Sequence, residues 1–170
     1  EQIDFGVEDS RAAFFRGSLI KWWCRDILCL ATSTMSNCLF CKIIAKEIPS
    51  SIVYEDDDIV AFLDIKPTNP GHTLVVPKKH SDGFHDADPV TLQKLIVATQ
   101  KVANAVANAL HTTGFNLEQN NGAIAGQVIP HLHFHIIPRR LDDGFRHWPG
   151  TPYAEGVMHE VSEKIRGMLK

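Results

Sequence analysis

At 170 residues, with 44% hydrophobic and 22% charged side chains, the chain has the composition of one globular domain with a sizeable core. A formal net charge of −3 excludes a general binder of nucleic acid polymers, since that binding is driven by clustered Lys and Arg, but it leaves room for a small phosphorylated ligand in a local cradle. Four cysteines are too few for a disulfide scaffold, and the Cys38-x-x-Cys41 spacing points to a reducing compartment and to a metal or redox role.

Residues 1–34 differ in character from the rest of the chain. Arg11, Arg16, Lys21 and Arg25 are spaced through Phe14, Phe15, Leu19, Ile20, Trp22, Trp23, Ile27 and Leu28. No run reaches the ~18 uncharged apolar residues of a membrane span. Glu1, Asp4, Glu8 and Asp9 count against a transit peptide. Met35 reads as a native start, which leaves residues 1–34 either outside the folded domain or as an amphipathic targeting or membrane-surface helix.

From Met35 onward the pattern is that of a folded domain. Residues 41–46 form a short helical turn stopped near Pro49, and 52–54 and 59–64 form two strands separated by the acidic turn Glu55, Asp56, Asp57, Asp58. Pro67, Pro70 and Gly71 mark a tight connection into a third strand, 73–77. Asp88 followed by Pro89 is an N-cap with proline at the first helical position. Leu92, Leu95, Ile96, Thr99, Val102, Ala103, Val106 and Leu110 then recur at helical spacing, giving the longest helix, ended by Gly114. A fourth strand over 115–120 leads through the loop 121–127 into a histidine-rich strand within 128–139. An amphipathic helix follows over 157–169, with Val157, Val161 and Ile165 on one side. The expected fold is α+β, a mainly antiparallel sheet of about five strands with helices on one face. Such a sheet has edges to protect, so pairing with a second copy is expected.

The histidine strand carries the chemistry. His131, His133 and His135 alternate with Leu132, Phe134 and Ile136, so the imidazoles share one face. A single three-histidine metal site is disfavoured, because at ~3.3 Å per residue the outer two Cα atoms are about 13 Å apart. A zinc ion needs its nitrogen donors at ~2.0–2.1 Å. A nucleophile with helpers fits better: neutral imidazole is nucleophilic near pH 7, and a neighbour at ~6.6 Å can bind what it attacks. Attack on phosphorus suits this arrangement, since positioning and charge neutralisation dominate its catalysis. The loop from Asn120 to Gln127 supplies small residues, free N–H groups and amide side chains, which are parts of a phosphate cradle. Three half-buried histidines satisfied by backbone carbonyls are the plain structural alternative.

The run from Ala125-Gly126-Gln127-Val128 through His131-x-His133-x-His135 resembles the signature of the histidine-triad (HIT) nucleotide hydrolases and transferases. Supporting matches run from Cys38 to Pro49, from Ala61 to Ile65 and from Gly71 to His80, and the chain is most similar to the Hint-like branch that retains a Cys-x-x-Cys. The resemblance covers 37 to about 140 and implies a HIT domain over 35–170, including the C-terminal helix. It further implies a homodimer with a continuous sheet, in the cytoplasm unless residues 1–34 redirect it, and no stable membrane span.

By that resemblance, His133 attacks the α-phosphorus of a purine nucleotide and His135 polarises the phosphate. A covalent nucleotidyl-histidine forms, and water then releases a nucleoside monophosphate. Asn120 supplies the phosphate-binding amide, and Gln127 belongs to the nucleotide-binding set in the adjoining loop. Asp64 contacts the ribose hydroxyls, Phe40 and Ile65 line the purine slot, and His72 lies in the pocket near the triad. The implied substrates are purine nucleoside phosphoramidates; dinucleoside polyphosphates, or a regulatory nucleotide-binding role with incidental turnover, are the alternatives. Relatives often carry Ser or Thr where this chain has Val128. The resemblance also implies a structural zinc held by Cys38, Cys41, His80 and His131, which splits the triad between metal and phosphate. Read from the residues alone, the lone Cys-x-x-Cys could equally be redox-active, zinc-binding or two buried free thiols.

Overall fold

The computed structural model describes residues 37–146 and 150–169. The expectations for residues 1–34 lie outside the described residues.

The chain forms α1 (Leu39–Ile44), β1 (Ile52–Glu55), β2 (Ile59–Leu63), β3 (Thr73–Pro77), α2 (Pro89–Ala109), β4 (Gly114–Glu118) and β5 (Phe134–Arg139). A single 3-10 turn (Ala123–Ala125) interrupts the β4–β5 connection, and α3 (Val157–Met168) follows. The five strands make one antiparallel sheet in the order β1-β2-β3-β5-β4, so the α+β expectation holds. β3 has the expected bounds, while α1 begins two residues earlier than the pattern suggested.

Period-two alternation divides the sheet into two faces. One face carries Ile59, Ala61, Val75, Phe134 and Ile136, packed against Leu95, Ala98, Val102 and Ala103 of α2. The other carries Val60, Phe62, Leu74 and Val76, packed against Cys38, Phe40 and Ile43 of the α1 segment. Helices therefore cover both faces, where one covered face was expected. β2 and β3 are buried on both sides, which is why they read as near-continuous apolar runs. α2 starts as its sequence dictates: Asp88 accepts from the Thr91 N–H, and Pro89 occupies the first turn.

Two departures bear on the site. The ladder of β5 begins only at Phe134, so His131 and His133 lie in an irregular approach segment, where an extended strand from residue 128 was expected. The His131 N–H turns back to the Ile129 carbonyl at 2.8 Å, and the Leu132 N–H bonds to the Ser81 carbonyl at 2.7 Å. These bonds replace ladder pairing. Gly71, immediately before His72, has φ +87°, and a Cβ there would stand 2.2 Å from Leu110 Cδ1, so a side chain would strain the backbone and displace Leu110. The amphipathic α3 is present as expected but buries no side chain among the described residues.

Leu95 is fully buried between α2 and the sheet. Leu95→Ala is expected to lower the unfolding free energy by about 3 kcal/mol, read as a fall in the denaturant midpoint at unchanged slope.

Candidate functional site

The three histidines meet the sheet on the face that carries α1. His131 is fully buried, and its Nε2 lies 2.8 Å from the Pro77 carbonyl oxygen. Only an N–H can bond that oxygen, so the proton sits on Nε2 and the Nδ1 lone pair is free. Nδ1 faces Cys38 Sγ at 3.3 Å, Cys41 Sγ at 3.6 Å and His80 Nδ1 at 3.1 Å. His80 repeats the arrangement: Nε2 lies 3.1 Å from an Asp82 carboxylate oxygen, and Nδ1 lies 3.3 Å from Cys41 Sγ. All four donor atoms lie within 4.8 Å of one another.

These four residues fit a metal ion. Two lone pairs pointing at each other across 3.1 Å are repulsive unless a cation stands between them. Bonds of ~2.0–2.3 Å arranged tetrahedrally put donors about 3.3–3.8 Å apart, close to the separations here. Both imidazoles have their outer N–H held by an oxygen, which fixes the ring and the tautomer as metal ligands require. Burial, followed by the adjacent Cys38, pushes the Cys41 thiol up to about 11, so this thiol needs a cation to ionise near neutrality. Burial is also the main cause that pulls His131 down to about 4, which keeps it a neutral ligand.

His133 is 5% exposed and is not one of the four clustered residues. Its Nδ1 lies 2.6 Å from the His131 carbonyl oxygen and so carries the proton, leaving the Nε2 lone pair free. Burial lowers its pKa, more than the His131 carbonyl and the charge of Asp64 raise it. Phe40 meets its ring edge-on at a centroid distance of 5.1 Å.

The tautomer of His135 is set from a distance. The Thr68 backbone N–H donates to His72 Nδ1 at 3.2 Å, so the His72 proton is on Nε2. That Nε2 lies 2.9 Å from His135 Nδ1 and donates to it, which leaves the remaining proton of His135 on its own Nε2. His133 and His135 lie ring to ring at 4.8 Å, so a free lone pair and a free N–H donor stand side by side. Burial, then His133 and His72, lowers His135 to about 4. Asp64 lies 3.8 Å from His72 Nδ1 and accepts the Lys66 N–H at 2.8 Å. Asp64, His72 and His135 also bring ligand atoms close together, but the facing nitrogens of the two rings are engaged with each other, unlike those of the cysteine cluster.

Among the other expected site residues, Asn120 is half-buried, and its side-chain amide makes no hydrogen bond among the described residues. Gln127 is committed: its Oε1 accepts the Gly122 N–H at 2.7 Å, and its Nε2 donates to the Asp82 and Ile129 carbonyls. It shapes the loop, with its amide already used. Phe40 is buried beneath His133 and offers no open face, whereas Ile65 is 88% exposed beside Asp64. Val128 is 84% exposed and brings no hydroxyl. The supports missed in the sequence are Asp82, Pro77 and Thr68. Only Asp82, two residues after His80, carried a side-chain signal; the other two act through their backbones. A cavity of about 540 Å³ lies on the α2 side of the sheet, lined by residues such as Val53, Val102 and Leu110, and holds none of this chemistry.

The HIT domain family model matches residues 45–142. The adenosine 5'-monophosphoramidase HNT1 of Saccharomyces cerevisiae is 43% identical over 136 residues, covering 76% of this chain and 84% of the relative. A crystal structure of a HIT family member from Bacillus subtilis superposes with a TM-score of 0.72 at 40% identity, covering 77% of this chain and 96% of that one. A Zn-bound histidine triad family protein from Mycobacterium smegmatis has a TM-score of 0.62 at 37% identity, covering 68% and 86%.

Proton–nitrogen correlation spectra of the imidazoles check the tautomers directly. The expected protons are on Nδ1 of His133 and on Nε2 of His72 and His135, and in His72→Ala the His135 signal is expected to become a tautomer mixture.

Proposed function

This chain belongs to the HIT domain family and is a hydrolase of the histidine-triad type, and from that premise we propose that it cleaves purine nucleoside phosphoramidates at the α-phosphorus. The observation that carries the reading is the bond from His133 Nδ1–H to the His131 carbonyl, which aims an unprotonated Nε2 into the site beside the His135 N–H.

His133 Nε2 attacks phosphorus, and a P–N bond to the imidazole forms as the P–N bond to the leaving amine breaks. The amine departs after taking a proton from water. His135 Nε2–H donates to a non-bridging oxygen, where negative charge accumulates in the transition state. A second water, giving a proton to the hydroxide left by the first, then attacks the nucleotidyl-histidine. The imidazole leaves with its lone pair restored, and with one water consumed in all the products are the amine and a nucleoside monophosphate. Asn120, with its uncommitted amide, donates to the phosphate; Gln127 holds the loop that presents backbone N–H groups to it. Asp64 accepts from the ribose hydroxyls, and Ile65 covers the base. Phe40 contributes by packing against the nucleophile from below.

Cys38, Cys41, His80 and His131 are the ligands we assign to zinc. Two thiolates and two imidazoles would close its coordination, so the ion would supply a structural cross-link and leave no position for substrate. Free thiols as ligands suit a reducing, cytoplasmic setting. Among the described residues no helix is long and apolar enough to cross a membrane. A homodimer is supported by the edge of β4, where Phe115 and Leu117 lie exposed beside Ile96 and Val97 of α2.

His133→Ala is expected to lower turnover at least about 10³-fold while adenosine monophosphate still binds; undiminished turnover defeats the mechanism. Comparing rates on an adenosine phosphoramidate and on a diadenosine polyphosphate identifies the substrate class. Cys38→Ser with Cys41→Ser is expected to lose zinc by elemental analysis and to lower the melting temperature. If chelation abolishes the chemical step with the fold intact, zinc takes part in the chemistry and the structural assignment is wrong.

A further inference from the structure

On the site face of the sheet, Glu118 stands opposite His135 in the β4–β5 register. Directly opposed residues of an antiparallel pair project to the same face, with Cβ atoms ~4.5–5.5 Å apart. Four carboxylates are half-buried among the described residues: Asp64, Asp88, Glu118 and Asp143. Three are engaged. Asp64 accepts the Lys66 N–H, Asp88 pairs with Lys79 while capping α2, and Asp143 pairs with Arg139 and accepts from Asn69. Glu118 makes no hydrogen bond or ion pair among the described residues.

A second unmet acceptor lies two residues away. Asn116 projects to the same face, opposite Ile137, and its Oδ1 is buried with no hydrogen-bond partner among the described residues. The half-buried Glu118 carboxylate, close enough for its charge to act on His72, and the buried Asn116 amide oxygen both suit a ligand that supplies donors. One group answers both: an ammonium, which carries positive charge and only donors.

The strand order says which part of the substrate arrives there. Across the sheet the site residues run from Asp64 after β2, through His72 before β3 and His135 on β5, to Glu118 on β4. With the ribose at Asp64 and the phosphate at His133 and His135, the group attached beyond phosphorus extends toward β4. We propose that Glu118, with Asn116, determines specificity for leaving groups that carry an ammonium apart from the scissile nitrogen, as a diamine or a basic amino-acid amine does. The proposal rests on the phosphoramidase reading of the triad. The bond made is P–N to His133 and the bond broken is P–N to the leaving amine; Glu118 holds the leaving group and takes no part in proton transfer.

The test uses the full chain and two adenosine 5'-phosphoramidates, one of 1,3-diaminopropane and one of uncharged, similarly sized butylamine. The wild-type protein is expected to favour the charged substrate in kcat/KM by about tenfold, the scale of one charge-assisted contact discounted for partial exposure. The preference is expected to shrink as salt rises. Glu118→Gln is expected to bring the ratio near one, Glu118→Asp to restore part of it, and Glu118→Lys to invert it; any common effect on folding or rate cancels in the ratio. Equal kcat/KM for the two substrates in wild type, or a ratio unchanged in Glu118→Gln, overturns the proposal and leaves the phosphoramidase reading standing. Turnover of neither phosphoramidate overturns both. If Glu118→Gln instead dissociates a dimer and lowers both rates equally, the carboxylate belongs to an interface and the proposal fails.

Discussion

A single peptide carbonyl orders the chemistry of this site. The oxygen of His131 takes the Nδ1 proton of His133 at 2.6 Å and thereby decides which nitrogen of the nucleophile is bare. That oxygen stays put because the ring of the same residue is held by the Pro77 carbonyl and turned toward two cysteines and His80. The metal-type cluster and the reactive nitrogen are thus consecutive links in one chain of contacts. Three regions far apart in sequence, α1, the end of β3 and the approach to β5, must all be in place before His133 is aimed.

The two helical layers have different tasks. On the α2 side, Leu95 and its neighbours form a close-packed core whose work is stability. The α1 side is thin: its six-residue helix brings Phe40 beneath His133 and the cysteines against His131, while His135 of β5 and the site-facing residues of β4 stay half-buried. The site lies on the less covered face, where a ligand can approach strands already rigidified from behind.

The sequence showed what rests on side-chain periodicity. The strands β1 to β4, the capped long helix and the sharing of one face by three histidines follow from alternation, helical spacing and the Asp88-Pro89 signal. The convergence of Cys38, Cys41, His80 and His131 was available only through family resemblance, since spacing alone left the thiols open to several uses. What stayed hidden depends on backbone groups or on tertiary neighbours. Alternation suggested a strand running through His131, but the turn from the His131 N–H to the Ile129 carbonyl and the bond from Leu132 to Ser81 break the ladder there without altering the pattern. Gln127 was expected in the nucleotide-binding loop, but nothing in its residue type told that three backbone groups take its amide. Glu118 carried no signal at all until β4 was registered against β5.

The link from Thr68 to His72 has a consequence for how the site can vary. The donor is a main-chain N–H, which every residue except proline possesses. The threonine side chain can therefore drift freely while the proton inventory two rings away is preserved. Proline at this position would be silent by charge, size and burial, yet it would release the His72 ring to exchange tautomers and scramble the donor that His135 presents. Part of the catalytic identity of this protein is thus written in its main chain, where the letter at position 68 carries almost none of the information and the peptide bond carries nearly all of it.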